Sequence, residues 1–130
     1  MGVTLDAGPL VAADRNDRGF FIWWKLMTRR GIVLAVPATV IAQVWRGPRQ
    51  ARMAQVLPSC QQVPLDPALA RSAGQLCGRS RTADVVDASV VAIAAARADD
   101  ILTSDPDDFK RLASLVQGVG RIRDFTTFRV

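Results

Sequence analysis

Histidine is absent from the 130-residue chain. That removes the commonest general base near neutral pH and the commonest nitrogen ligand of transition metals. Any acid–base or metal chemistry must therefore rest on carboxylates. Cysteine is scarce: Cys60 and Cys77 stand alone without a CxxC partner, which argues against a disulfide scaffold or a thiolate zinc site and for two small core thiols. No apolar run approaches the roughly 20 residues of a membrane span. The opening MGVTLDAGPLVAAD shows no basic leader followed by a long apolar stretch, so a soluble cytoplasmic protein without a membrane is expected. Internal repeats, linkers and low-complexity segments are missing too. With 49% hydrophobic and 22% charged residues, the composition fits one compact domain over residues 1–130.

What the chain does have is positive charge. The formal net charge is +5, and 15 of the 17 basic residues are arginine, whose planar fork grips phosphate oxygens in pairs. Anionic partners such as nucleic acid are favoured, although an arginine bias also follows from genome composition and names no substrate.

The pattern of elements is βα throughout. Val3, Thr4 and Leu5 form a β-prone run that stops at Asp6, and Pro9 suits the first turn of a helix. Residues 19–29 read as a helix with Gly31 as its stop, and the cluster Phe20, Phe21, Trp23 and Trp24 reads as packing rather than as a base-stacking platform. A buried strand is expected at 32–36, a helix opened by Pro37 over 37–45, and a second helical run at 48–57. Then come a short strand at 62–65, a helix capped by Asp66, a buried alanine-rich helix starting at or just before Asp87, a strand at 101–103, a helix at 107–116 and a last strand at 121–125. Strands alternating with helices over short connections predict a three-layer αβα fold with a mainly parallel central sheet.

Six of the twelve acidic residues, Asp6, Asp84, Asp87, Asp105, Asp107 and Asp108, fall at strand ends or helix starts. Helix capping explains any one of them, because aspartate at an N-terminus accepts backbone N–H bonds and complements the helix dipole. It does not explain several converging on the carboxyl edge of one sheet, where such folds collect their functional groups. Carboxylates crowded there repel one another unless protons or a cation intervene, and a hard divalent ion is the natural counterion.

Asp6 in VTLDAG, Asp87 in DVVDASVVAIAAARA and Asp105 in ILTSDPDDF resemble, in order and spacing, the successive acidic motifs of PIN-domain nucleases, with the VapC-type toxin branch the nearest. The resemblance covers nearly the whole chain. It implies that Asp6, Asp87 and Asp105 help hold one or two Mg²⁺ or Mn²⁺ ions that activate water against an RNA phosphodiester. It further implies a homodimer restrained by a small cognate antitoxin protein.

At one position the chain departs from the family. The helix after Pro37 normally carries a glutamate, and here VPATVIAQVWRG has Gln43, which offers a carbonyl oxygen but no negative charge and no base. A weaker second metal site or reduced activity is the expectation, unless Asp84 supplies the missing charge from the face it would share with Asp87 in an early-starting helix. Asp107 and Asp108 read first as capping groups, with a route to the metal open to either. Thr103 and Ser104 either bond a metal ligand or phosphate or close a turn. Arg46, Arg49 and Arg52, at helical i, i+3, i+6 spacing, form either a phosphate-facing stripe or a solvated face. Arg79 and Arg81 are candidates for the cleft rim or a partner chain.

The expectation is a metal-dependent endoribonuclease using Asp6, Asp87 and Asp105, with Gln43 in the catalytic set and Asp84 beside it. A Mg²⁺-dependent phosphatase or phosphotransfer protein with Asp6 as nucleophile is disfavoured: Ala-Gly-Pro follows Asp6 without a second aspartate two positions on, and no phosphate-cradling glycine loop is present. The other alternative is a non-catalytic RNA- or protein-binding module in which Gln43 marks a degenerate site.

Overall fold

The computed structural model describes residues 2–127. In chain order the elements are β1 (Gly2–Leu5), α1 (Ala7–Asp14), α2 (Arg18–Arg29), β2 (Val33–Pro37), α3 (Ala38–Val44) and α4 (Ala51–Val56). There follow β3 (Gln61–Val63), α5 (Pro67–Ser80), α6 (Val85–Arg97), β4 (Asp100–Thr103), α7 (Pro106–Ala113) and β5 (Ile122–Asp124). The strands form one sheet in the order β3-β2-β1-β4-β5, and every neighbouring pair is parallel. All residues of β1 and β4 are buried, so the sheet's centre is covered on both faces, as a parallel sheet between two helical layers requires. The three-layer α/β expectation holds.

α6 shows why the sequence folds this way. Residues 88–94, Ala-Ser-Val-Val-Ala-Ile-Ala, are all buried, and their small side chains let the helix lie against β1, β2 and β4 with α5 on another side. Full burial of Val90, Val91 and Ile93 contributes about 1.5–3 kcal/mol each. α2 is framed by local chemistry. The Asp17 carboxylate accepts the Phe20 N–H at 2.8 Å, and the helix closes where Gly31, at φ +69°, donates to Thr28 O at 3.1 Å while Ile32 donates to Met27 O at 3.0 Å. The aromatic cluster packs as expected, with the buried Phe20 ring 5.3 Å from Phe21 and 6.0 Å from Trp23. Cys60 is buried, Cys77 is half-buried, and both are free thiols.

Some boundaries differ from expectation. Pro37 ends β2 instead of opening the helix. β3 stops at Val63 because Pro64 has no N–H to donate, and α7 ends at Ala113. The helix expected at 48–57 begins only at Ala51, because the Gln50 side chain ties down the preceding loop, accepting from Gly47 N at 3.1 Å and donating to Val44 O at 2.9 Å. No helix among the described residues is long and apolar enough to cross a membrane.

Candidate active site

The strand order reverses between β1 and β4, since the chain runs outwards from β1 through β2 to β3 and then returns to β1's other side. In an open parallel sheet that point leaves a crevice beyond the strands' carboxyl ends. Leu5 pairs with Leu102, and the Asp6 N–H donates to Leu102 O at 3.0 Å, so Asp6 leaves β1 beside Thr103 at the end of β4.

Asp6 is only 8% exposed and occupies the N-cap position of α1, yet its side chain makes no cap hydrogen bond. Instead the Thr103 hydroxyl donates to Asp6 Oδ2 at 2.8 Å and accepts the Asp105 N–H at 2.9 Å. One buried hydroxyl thus fixes both the Asp6 carboxylate and the backbone that carries Asp105. Asp105 stands at the N-cap of α7, also without a cap hydrogen bond from its side chain. Ser104 closes over α1 so tightly that a Cβ on Gly8 would meet its hydroxyl and lie 2.8 Å from its Cβ.

The third acid comes from α6, which enters the carboxyl edge of the sheet with its N-terminus. Asp84 does not share a helical face with Asp87, because the helix starts at Val85 and Asp84 is its N-cap, accepting the Asp87 N–H at 3.0 Å. Its charge nevertheless acts on both Asp87 and Asp6.

The charges of these acids act on one another. Burial is the largest cause raising the Asp6 carboxyl above its usual range. The Ala7 amide and Thr103 hydroxyl oppose it, and the Asp84 and Asp105 charges add to it. Asp87 is pushed up to about 7, first by burial, then by the charges of Asp84 and Asp6, a hydrogen bond with the Asp84 side chain, and the charge of Asp108. Asp105 is raised chiefly by a side-chain hydrogen bond with Asp108. Among the described residues the ion pairs are Arg97–Asp99 and Arg123–Asp100, so no arginine or lysine neutralises this cluster.

In this conformation no three of the described acidic or thiol side chains are arranged to hold an ion directly. The donor set still suits Mg²⁺ or Mn²⁺. It is all oxygen, carries excess negative charge, and is loose enough for an ion that keeps several waters and takes one or two carboxylates.

Gln43 lies on α3, exposed, and the structure records no hydrogen bond from it to Asp6, Asp87 or Asp105. One turn earlier on the same face, the Thr39 hydroxyl meets the Ser89 hydroxyl of α6 at 2.6 Å, which ties Gln43's helix to that of Asp87. Glutamate is absent from the whole chain, so every carboxylate is an aspartate. Of the two readings for Arg46, Arg49 and Arg52, the helical stripe does not form: all three are exposed, Arg46 and Arg49 lie in the loop before α4, and Arg46 Nη1 donates to Ala42 O at 3.2 Å and Trp45 O at 2.8 Å. Gly47 and Pro48 interrupt the helix across which that spacing was counted. Arg79 and Arg81 are exposed at the end of α5. Asp108 matters more than a capping residue would, since it bears on both Asp105 and Asp87. The sequence signal for it was only its place in the first turn of α7.

A family model described as PIN domain matches residues 3–115. No curated protein matches the chain. Among solved structures, VapBC from Salmonella typhimurium, bound to DNA, is similar at TM-score 0.71 and 17% identity, covering 96% of this chain and 98% of that one. VapBC2 from Rickettsia felis, bound to a DNA fragment from its promoter, gives TM-score 0.70 and 15% identity over 85% of this chain and 92% of that one. VapBC-5 from Mycobacterium tuberculosis, of the VapBC family of toxin–antitoxin systems, gives 0.56 and 23% over 94% and 97%.

Proposed function

This chain belongs to the PIN domain family, and from that premise we propose that it is a Mg²⁺- or Mn²⁺-dependent endoribonuclease, the toxin of a toxin–antitoxin pair. The observation that carries the reading is geometric: at the carboxyl edge of the sheet the Thr103 hydroxyl joins the buried Asp6 carboxylate to the backbone of Asp105, α6 begins there with Asp84 and Asp87, and no arginine or lysine among the described residues pairs with these acids. Such a cluster is balanced by protons when alone and by a cation when loaded. The similarity to VapBC assemblies supports a small antitoxin as partner; a homodimer is part of the proposal and rests on the resemblance of the acidic motifs alone.

Asp6, Asp87 and Asp105 are the residues that would hold the ion. It would supply the polarisation of water and of a phosphate oxygen that the uncharged side chains here cannot. Thr103 positions one oxygen of Asp6 and the backbone of Asp105. Burial and the neighbouring charges that push Asp87 up to about 7 favour its protonated form in acid, so a metal held there would be bound more weakly as pH falls. In the reaction, water adds across a phosphodiester P–O bond, leaving phosphate on one RNA fragment and hydroxyl on the other.

The test is RNA cleavage by purified protein freed of any partner. Cleavage is expected only with Mg²⁺ or Mn²⁺, and Asp87→Asn is expected to lower it at least about a hundredfold with an unchanged circular dichroism spectrum. A pure capping role predicts survival of activity, since asparagine caps about as well as aspartate. Cutting that persists in excess EDTA or in the variant contradicts the carboxylate mechanism. RNA left intact with every metal favours the binding-module reading, to which the neutral Gln43 points.

A further inference from the structure

A second concave site opens one residue from the acidic cluster. It has a volume of about 420 Å³ and is lined by Gly8, Ala12 and Arg15 of the α1 segment, by Ser104, and by Phe125 and Thr126 after β5. Ser104, which lines this pocket, stands in the chain between Thr103, whose hydroxyl holds Asp6, and Asp105 itself. We infer that the pocket between α1 and the Phe125–Thr127 turn holds an unpaired nucleotide of the RNA strand whose scissile phosphate lies at the aspartates. The inference rests on the ribonuclease reading and adds a site of substrate recognition to it.

The chemistry of the lining fits that ligand. Arg15 is exposed and forms no ion pair among the described residues, which leaves its guanidinium for a phosphate. Phe125, which packs on Phe20 at a ring distance of 6.4 Å, brings an aromatic ring to the wall, and Ser104 and Thr126 bring hydroxyls. A ring, a cation and small polar groups together are what single-stranded RNA uses: a base against the ring and its phosphate on the arginine. Asp17 also lines the pocket; its Oδ2 accepts the Phe20 N–H as the cap of α2, and its remaining negative charge disfavours a phosphate on its side and leaves Arg15 as the group that would take one. Gly8, Val11, Ala12 and Arg15 line the pocket along one face of the α1 segment, and Gly8 admits no side chain because of Ser104.

The experiment measures binding of fluorescein-labelled eight-nucleotide homopolymers of A, C, G and U by the full chain in EDTA, where no cleavage competes. Arg15→Ala is expected to weaken binding about tenfold and to lower the slope of log affinity against log salt by about one. Phe125→Leu is expected to weaken it by about five- to tenfold, unequally among the four bases, because stacking strength differs between them. Arg15 is exposed, so its variant reports on the pocket even if Phe125→Leu disturbs packing on Phe20. Wild-type binding that Arg15→Ala leaves unchanged in strength and salt slope overturns the pocket, and so does the absence of binding by wild type. Mn²⁺-dependent cleavage of a long RNA by the same preparation then shows whether the ribonuclease reading stands without it.

Discussion

At the amino edge of the sheet, Asp99 and Asp100 are 2% and 5% exposed, and each is met by a cation. Asp99 Oδ2 accepts from Arg97 Nε and from the Thr4 hydroxyl, both at 2.9 Å. Asp100 accepts from Arg123 Nε at 2.8 Å and from the Arg121 N–H at 2.7 Å. At the carboxyl edge Asp6, almost as buried at 8%, receives a threonine hydroxyl but no arginine or lysine, and three further aspartates press on it or on Asp87. Burying a carboxylate is costly unless it is paired. The fold meets that cost from within at one edge and leaves it open at the other. On the proposed function, the same residue type serves structure where its countercharge is built in and metal binding where the countercharge would come from outside.

The comparison breaks most visibly under substitution. Asp99→Ala should lower stability by about 2–3 kcal/mol, because it leaves the buried Thr4 hydroxyl and Arg97 without their acceptor, and Asp100→Ala by about 1–2 kcal/mol, because its donors, the Arg121 N–H and the half-exposed Arg123, can turn to water. Urea denaturation would measure it, and a loss below about 0.5 kcal/mol would place these pairs among weak surface bridges. Asp87→Asn should act in the opposite direction. The folded-state value of about 7 exceeds the unfolded carboxyl value near 3.9, so the metal-free protein holds this stability fully below about pH 4 and loses it as pH rises through about 7. Allowing for solvent screening of a half-buried group, Asp87→Asn should stabilise the chain by about 1–2 kcal/mol at pH 8 in EDTA and by almost nothing at pH 4. A variant less stable than wild type at pH 8 would assign Asp87 to the structural class. The smallest effect concerns Gln43: if its helix faces the cluster, Gln43→Glu adds a negative charge and tightens Mn²⁺ binding by about three- to tenfold in calorimetry. Unchanged or weaker affinity would remove Gln43 from the site.

Much of this was legible in the sequence, because strand-end aspartates and βα alternation are local signals. Asp6, Asp87 and Asp105 stand out since each closes or opens an element, and the alanine-rich run around Val90 reads as a buried helix. Contacts between distant residues were not legible. The Asp99 bond to Thr4 spans 95 positions and the Thr103 bond to Asp6 spans 97, and no spacing rule reaches that far. Asp84 turned on the first residue of α6, where a shift of a few residues separates a cap from a helical face. The arginine stripe failed because helical spacing was counted across Gly47 and Pro48, where no helix runs.

The central claim is that the carboxyl-edge aspartates await a divalent cation, and thermal unfolding with and without Mn²⁺ at pH 7 tests it most directly. Ligand that binds only the folded state raises its stability by about 2.7 kcal/mol at a hundred times the dissociation constant. Wild type should show a clear rise in Tm with millimolar Mn²⁺, Asp99→Asn should keep that rise on a lower baseline, and Asp6→Asn and Asp87→Asn should lose most of it. An equal rise in wild type and in both cluster variants, or no rise in wild type, would contradict the account.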